Sequence, residues 1–241
     1  MALLLSFDTA TKHLAVVLSD GVTPLASRVD ESDQYSHAEK LNVFIDEVMK
    51  EAGRELKELN AVAVGIGPGS YTGLRIGLSA AKGLCFALDI PLIGMSTLDI
   101  LVAEFLTPPN NQQPTTVSLR AQSRGNLFPM IDARRMEVFT RTYDAAGNAL
   151  GESSPAMLDE AWCDALPRDV RTVVFGDGSD KAAQLWNGHD HIVHVANIRP
   201  SVRGLASCAN VHFTRGDFAD LAYLVPDYGK AANVAQPKKK V

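Results

Sequence analysis

The sequence predicts an α/β protein made of two similar blocks, and three observations lead to this fold class. Residues 1–30 read as a meander of short apolar strands, and residues 61–94 read as a strand–helix–strand unit. A second strand-rich block begins near residue 130, after a loop rich in proline, asparagine and glutamine. Because both blocks open with strands and continue with a mixed α/β pattern, we expect a duplicated architecture.

The first elements follow from apolar runs and helical period. Short apolar runs separated by turn residues predict strands at Leu3–Phe7, Leu14–Leu18 and Leu25–Val29. Apolar side chains then recur every three or four residues over 36–53, which predicts one amphipathic helix. Ser36 is expected to cap this helix at its start, and Gly53 is expected to end it.

The later elements are predicted in the same way. The βαβ unit consists of a buried strand from Ala61 to Ile66, a helix over about 72–88 and a short strand from Pro91. Further strands are expected at 130–133, 137–143 and 173–175. The polar loop at 107–126 marks a boundary, so we expect domains at 1–105 and 106–230 and a frayed tail at 231–241.

Composition and charge exclude several classes of protein. The 241 residues carry a net charge of −5, which argues against a protein that grips nucleic acid with its whole surface. Residues 1–100 hold 8 basic and 13 acidic groups, so the whole net charge lies there. The three cysteines form no CxxC pair, and no run is long and apolar enough for a membrane helix. We therefore expect a cytoplasmic protein with no membrane association.

A glycine-rich segment follows the strand at 61–66. It is not a P-loop, because that motif requires Gly-Lys-Ser/Thr and the segment has Gly73-Leu74-Arg75 instead. It is not a dinucleotide fingerprint, because Ser70 stands where a glycine is needed. Gly73, Gly77 and Ala81 recur every four residues, so they share one face of the predicted helix. Such a row favours close packing, either inside the chain or against the helix of another protein.

Several segments in order resemble one family. The run Gly67–Gly77, GPGSYTGLRIG, resembles the hallmark segment of the TsaB (YeaZ) family. FDTAT at 7–11, PLIGMSTL at 91–98 and IDARRMEVF at 131–139 resemble further family segments. This ordered set is far more specific than a lone glycine motif.

The resemblance implies the duplicated two-domain fold of the actin/Hsp70/sugar-kinase (ASKHA) superfamily. It also implies a non-catalytic subunit that pairs with TsaD and works with the ATPase TsaE. Together these proteins form threonylcarbamoyladenosine at position 37 of tRNAs that read codons beginning with A. The resemblance implies no cofactor on this chain, with ATP and metal on TsaD and TsaE, and it implies that tRNA is reached through the complex.

The same resemblance implies that TsaD docks on the first two helices, and that a homodimer can form through them. The contact residues predicted on these helices are Leu41, Phe44, Ile45, Val48, Met49, Gly73, Leu74, Gly77, Ala81 and Leu84. Replacing Gly77 with leucine is therefore expected to break the complex while the monomer stays folded.

The first hairpin resembles a degenerate nucleotide loop. The superfamily holds phosphate there through Asp-x-Gly-x-Thr, and this chain has Asp8, Thr9, Ala10 and Thr11, with alanine at the glycine position. A β-carbon there crowds a phosphate. The TsaD metal site uses two histidines four residues apart, whereas His37 is followed by a leucine at that spacing, so no metal is expected.

The sequence allows more than one role for two arginines and more than one function for the chain. Arg134 and Arg135 stand where a second phosphate loop is expected, and they either contact tRNA or form a solvated surface. The chain could also be an ATPase or small-molecule kinase that uses Asp8. A glycoprotease ranks lowest, because no Ser/His/Asp or Cys/His arrangement and no metal-ligand cluster is apparent.

Overall fold

Two mixed five-stranded sheets with the same strand order form the two lobes of the protein. The computed structural model describes residues 1–31, 37–107 and 125–230. The strands of the first lobe are β1 (Leu3–Asp8), β2 (Leu14–Asp20), β3 (Thr23–Asp30), β4 (Ala61–Gly67) and β5 (Leu92–Ser96). The helices that follow them are α1 (His37–Glu51), α2 (Tyr71–Leu88) and α3 (Thr97–Leu106).

The second lobe repeats the same plan of strands. Its strands are β6 (Asn126–Asp132), β7 (Glu137–Thr140), β8 (Ser154–Met157), β9 (Thr172–Phe175) and β10 (Ile192–Val195). The helices in this part of the chain are α4 (Glu160–Asp164), α5 (Asp177–Asp180) and α6 (Val202–Arg215).

Strand order and direction demonstrate the duplication. The first sheet runs β3-β2-β1-β4-β5 and the second runs β8-β7-β6-β9-β10. In each sheet the first three strands pair antiparallel, and the fourth and fifth strands are added in parallel. The duplicated α/β architecture predicted from the sequence is confirmed.

Helices cover both faces of the first sheet. On one face α1 and α2 bury apolar side chains such as Leu41, Val48 and Leu78. On the other face Leu205 and Ala209 of α6 pack against β1, β2 and β5. The last helix of the described chain therefore completes the core of the N-terminal lobe, which no sequence pattern predicted.

Helix α3 joins the lobes. Its Leu98, Leu101 and Phe105 belong to the apolar core of the second sheet. The ring of Phe105 stacks on that of Phe175 with centroids 4.6 Å apart. The predicted domain bounds at 1–105 and 106–230 stay a prediction. The expected cap at Ser36, most of the loop at 107–126 and the tail at 231–241 lie outside the described residues.

Candidate functional site

A cleft lies between the lobes, where the turns after β1, β4, β6 and β9 face one another. The carboxyl ends of parallel strands meet at one edge of a sheet, so topology brings these turns together. The cavity has a volume of about 600 Å³. Lys12, Ser70, Thr72, Asp132 and Asp177 supply polar groups to its lining.

Asp8 ends β1 beneath this cleft and has no exposed surface. Burial raises the pKa of Asp8 to about 6, and the nearby charge of Asp177 adds to the rise. The backbone N–H of Ala10 donates to Oδ1 of Asp8 at 2.9 Å, and the Thr97 hydroxyl lies 3.4 Å from Oδ2. These contacts hold the carboxyl inside the fold, where Asp8 does not line the cavity.

The turn after β1 packs directly onto the turn before α2. The N–H of Ser70 donates to the Ala10 carbonyl oxygen at 2.6 Å, and the Thr9 hydroxyl donates to the Gly73 carbonyl oxygen at 2.8 Å. A Cβ at Gly69 would lie 2.4 Å from the Ala10 carbonyl oxygen. The glycines of this segment therefore let the two turns approach each other closely, and the Ala10 side chain occupies space between them.

His37 fixes the start of α1 to the same turn. Its Nε2 lies 2.7 Å from the Thr11 carbonyl oxygen, an acceptor, so Nε2 donates the hydrogen bond. Burial lowers the pKa of His37, which favours the neutral ring. The Thr11 hydroxyl accepts a hydrogen bond from the His13 N–H at 3.2 Å. Thr9, Thr11 and His37 thus bond to the chain itself.

The second lobe brings charged groups to the opposite wall. Asp177 accepts a hydrogen bond from the Asp132 N–H at 3.0 Å, and burial raises the pKa of Asp177. Lys181 pairs with Asp132. Arg134 and Arg135 form the exposed hairpin turn between β6 and β7, both with left-handed backbone, and Arg134 lines the cavity. Their predicted contact with RNA stays a prediction.

Most of the predicted docking residues are buried within the chain. Phe44 and Leu84 are half-buried against the core of the first lobe. The residues without appreciable exposed surface are Leu41, Ile45, Val48, Met49, Gly73, Leu74, Gly77 and Ala81. These buried side chains hold α1 and α2 on their own sheet, and their role in docking stays a prediction.

The glycine row illustrates the physical reason. A Cβ at Gly73 would lie 2.0 Å from the Thr9 carbonyl oxygen, and one at Gly77 would lie 2.4 Å from the Thr9 hydroxyl oxygen. The row therefore faces the first turn of its own chain. We therefore expect leucine at position 77 to destabilise the monomer, in contrast to the expectation from the sequence.

A second row of small residues lies on the outer face of α2. Ser79, Gly83 and Ala87 are exposed and recur every four residues. An added Cβ at Gly83 meets no atom within 4 Å, and the neighbouring Phe86 side chain is 81% exposed. Both rows have the same four-residue spacing in the sequence. Only the packing of α2 shows which row faces inward and which faces outward.

The described residues contain neither a metal-ligand cluster nor a membrane-spanning helix. Among residues 1–31, 37–107 and 125–230, no group of three or more His, Cys, Asp or Glu side chains is arranged to hold a metal ion. No helix in these ranges is both long and apolar enough to cross a membrane.

Comparison with known sequences identifies relatives over most of the chain. The model of the family "TsaD: tRNA N6-adenosine threonylcarbamoyltransferase" matches residues 22–161, more than half of the chain. The tRNA threonylcarbamoyladenosine biosynthesis protein TsaB of Escherichia coli is 30% identical over 158 residues, which cover 64% of this chain and 62% of that protein. The chain thus spans less than two thirds of that relative. The TsaB protein of Bacillus subtilis is 27% identical over 95% of this chain and 94% of its own length.

Solved structures support the same fold. YeaZ from Pseudomonas aeruginosa superimposes with a TM-score of 0.74 and 26% identity, covering 95% of this chain and 100% of that one. The ethanolamine utilization protein EutJ from Carboxydothermus hydrogenoformans has a TM-score of 0.51 at 10% identity, covering 85% of this chain and 89% of that one, so it supports the fold alone. The protein has the ASKHA fold that the sequence predicted. The chain belongs to the TsaD family, and within it to the TsaB (YeaZ) group.

Proposed function

We propose that this chain supports threonylcarbamoylation of adenosine 37 in tRNA by binding a TsaD-type transferase rather than by catalysing the reaction. The observation that supports this proposal most strongly is the difference between the inner and outer faces of α2. The small residues on its inner face lie against the first turn of the same chain. On its outer face, a Cβ added at Gly83 would have no atom of the described chain within 4 Å. A helix with small outer residues lets a second helix approach closely.

The first turn supports a binding role over a phosphate-transfer role. In this fold a phosphate needs open backbone N–H groups in the turn after β1. Here the Ala10 N–H is bonded to Asp8, and the Ala10 carbonyl oxygen accepts the Ser70 N–H. Ala10 itself is 2% exposed. A phosphate at this position would have to displace the turn from the loop that precedes α2.

Similarity to known proteins indicates which class of protein the partner belongs to. A tRNA N6-adenosine threonylcarbamoyltransferase from Symbiobacterium thermophilum is 40% identical over 132 residues, which cover 54% of this chain and 37% of that protein. Two related chains that present similar helices can pair through α1 and α2 of each, which gives a pseudo-symmetric helix bundle. A homodimer through the same face would compete with this complex.

Two further components belong to the proposal. TsaE joins the complex and supplies ATP hydrolysis, and tRNA is bound chiefly by the partners. Arg134 and Arg135 add a small basic contact from the second lobe, on an exposed hairpin turn where phosphates could approach. The acidic balance of residues 1–100 fits a lobe that meets protein rather than RNA.

Reconstitution of the modification reaction tests the proposal. We expect a mixture of TsaD, TsaE, the threonylcarbamoyl-adenylate synthase, ATP, threonine, bicarbonate and tRNA to form threonylcarbamoyladenosine only when this chain is added. The nucleoside is quantified by mass spectrometry after digestion of the tRNA. Stoichiometric co-elution with TsaD in size-exclusion chromatography is the accompanying readout. Equal product with and without the chain would contradict the proposal.

A further inference from the structure

The chain after α6 returns across the first lobe as a strap, defined here as residues 217–230. The Ala219 N–H donates to the Leu92 carbonyl oxygen at 2.8 Å, and the Asp227 N–H donates to the Ile66 carbonyl oxygen at 2.7 Å. These bonds fix the strap to the edge strand β5 and to the end of β4. No apolar period in the sequence predicted this segment.

The middle of the strap lies beside α2. Lys82 of α2 donates from Nζ to the Ala222 carbonyl oxygen at 3.2 Å. Leu221 and Leu224 pack against the core that α2 also covers. The strap and the helix are therefore parts of one surface.

Residues 220–225 divide into inward and outward side chains. Tyr223 is 82% exposed and Val225 is 69% exposed, in contrast to the inward Leu221 and Leu224. The Asp220 carboxylate accepts the N–H groups of Ala222 and Tyr223 at 2.8 and 3.1 Å, so the backbone under Tyr223 is held in place. Large exposed apolar side chains on a backbone that is held in place are typical of protein-binding surfaces.

Phe86 extends the same apolar surface onto α2. It lies one turn beyond Lys82, on the same side of the helix that reaches Ala222. Its 81% exposure is close to that of Tyr223. The ammonium of Lys82 is bonded to the strap backbone at Ala222.

The outer face of α2 is too small to hold a partner by itself. A helix of 18 residues is ~27 Å long, and a face ~10 Å wide offers only ~300 Å². Stable complexes bury about 800 Å² on each partner. The partner must therefore cover surface beyond α2, which includes α1, and the strap provides further apolar surface beside α2.

We propose that Tyr223 and Val225 of the strap, together with Phe86, extend the surface of α1 and α2 that binds the TsaD-type partner. This inference rests on the proposed function, because it adds to the docking surface on α2. Tyr223 is its central anchor, as tyrosine commonly is in protein interfaces.

Binding titration with purified TsaD tests the inference. The probe variant carries Tyr223→Ser and Val225→Ser, and the matched control carries Leu150→Ser and Met157→Ser, two exposed apolar side chains of the second lobe. Since all four side chains are exposed, both variants should unfold at the urea concentration of the natural chain. We expect the strap variant to bind TsaD at least ~10-fold more weakly and the control to bind normally.

The outcomes separate this inference from the proposed function. Equal binding of the strap variant and the natural chain overturns the inference and leaves the docking role of α2 standing. Failure of the natural chain to bind TsaD overturns both. The strap variant could instead bind TsaD normally and change only the sedimentation of this chain in the absence of TsaD. A second copy of the chain would then cover the strap, and the inference is likewise overturned.

Discussion

We expect the Gly77→Leu variant to lose about 3 kcal/mol or more of its free energy of unfolding. Gly77 lies on the inner side of α2, and a Cβ there would lie 2.4 Å from the Thr9 hydroxyl oxygen and 3.4 Å from Val64 Cγ2. The Thr9 hydroxyl also donates to the Gly73 carbonyl oxygen, so moving it breaks a buried hydrogen bond. Urea unfolding followed by circular dichroism measures the loss.

Gly83→Leu is the matched control on the same helix. An added Cβ at Gly83 meets no atom within 4 Å, and leucine has a better helix propensity than glycine. This variant should gain up to about 1 kcal/mol. If Gly77→Leu unfolds like the natural chain, then Gly77 does not pack against the first turn, and the assignment of the two rows is wrong.

The Asp8→Asn variant should be more stable than the natural chain at pH 8, by about 2–3 kcal/mol. The pKa of Asp8 rises from 3.8 to about 6 in the folded chain because the carboxyl is buried. Between pH 3.8 and about pH 6, the Asp8 carboxyl therefore holds a proton in the folded state that it has released in the unfolded state. The stability associated with that proton is fully present below pH 3.8 and is lost as the pH rises through 6. Asparagine removes the charge that must be buried at high pH.

Urea titrations between pH 3.5 and pH 8 measure this difference. The gain for Asp8→Asn should be small at pH 3.5 and largest above pH 7. Asp169→Asn is the control, because Asp169 is exposed and its replacement should change stability by less than about 0.5 kcal/mol. A constant difference at every pH would contradict the buried, proton-holding state of Asp8.

The same variant separates the two functions that the sequence left open. A subunit that acts by binding should support threonylcarbamoyladenosine formation normally with Asp8→Asn. An ATPase or kinase that uses Asp8 as its base or metal ligand should lose turnover. Loss of product by a well-folded Asp8→Asn variant would favour the enzymatic alternative.

The strands were predictable because their apolar runs are short, continuous and separated by turn residues. Leu3–Phe7, Leu14–Leu18 and Ala61–Ile66 all lie within observed strands, and the helix expected over 72–88 is α2. The duplicated block order was also predictable, since it depends on element types rather than on contacts.

The orientation of α2 was not predictable from the sequence. Helical period shows that Gly73 and Gly77 share a face and that Ser79 and Gly83 share another, but both rows consist of small residues. The close approach of Thr9 decides which row faces inward, and it is a tertiary contact between residues 64 apart. The strap was missed for a similar reason, because its conformation is fixed by contacts with β4, β5 and α2.

The most direct test of the docking role is the affinity of Gly83→Leu for TsaD, measured by isothermal titration beside the natural chain. Gly151→Leu is the matched control, since an added Cβ at Gly151 also meets no atom within 4 Å and the residue lies in the second lobe. We expect Gly83→Leu to fold normally and to bind TsaD at least ~30-fold more weakly, equivalent to ~2 kcal/mol, while Gly151→Leu binds as the natural chain does. Unchanged affinity of Gly83→Leu would contradict docking on the outer face of α2.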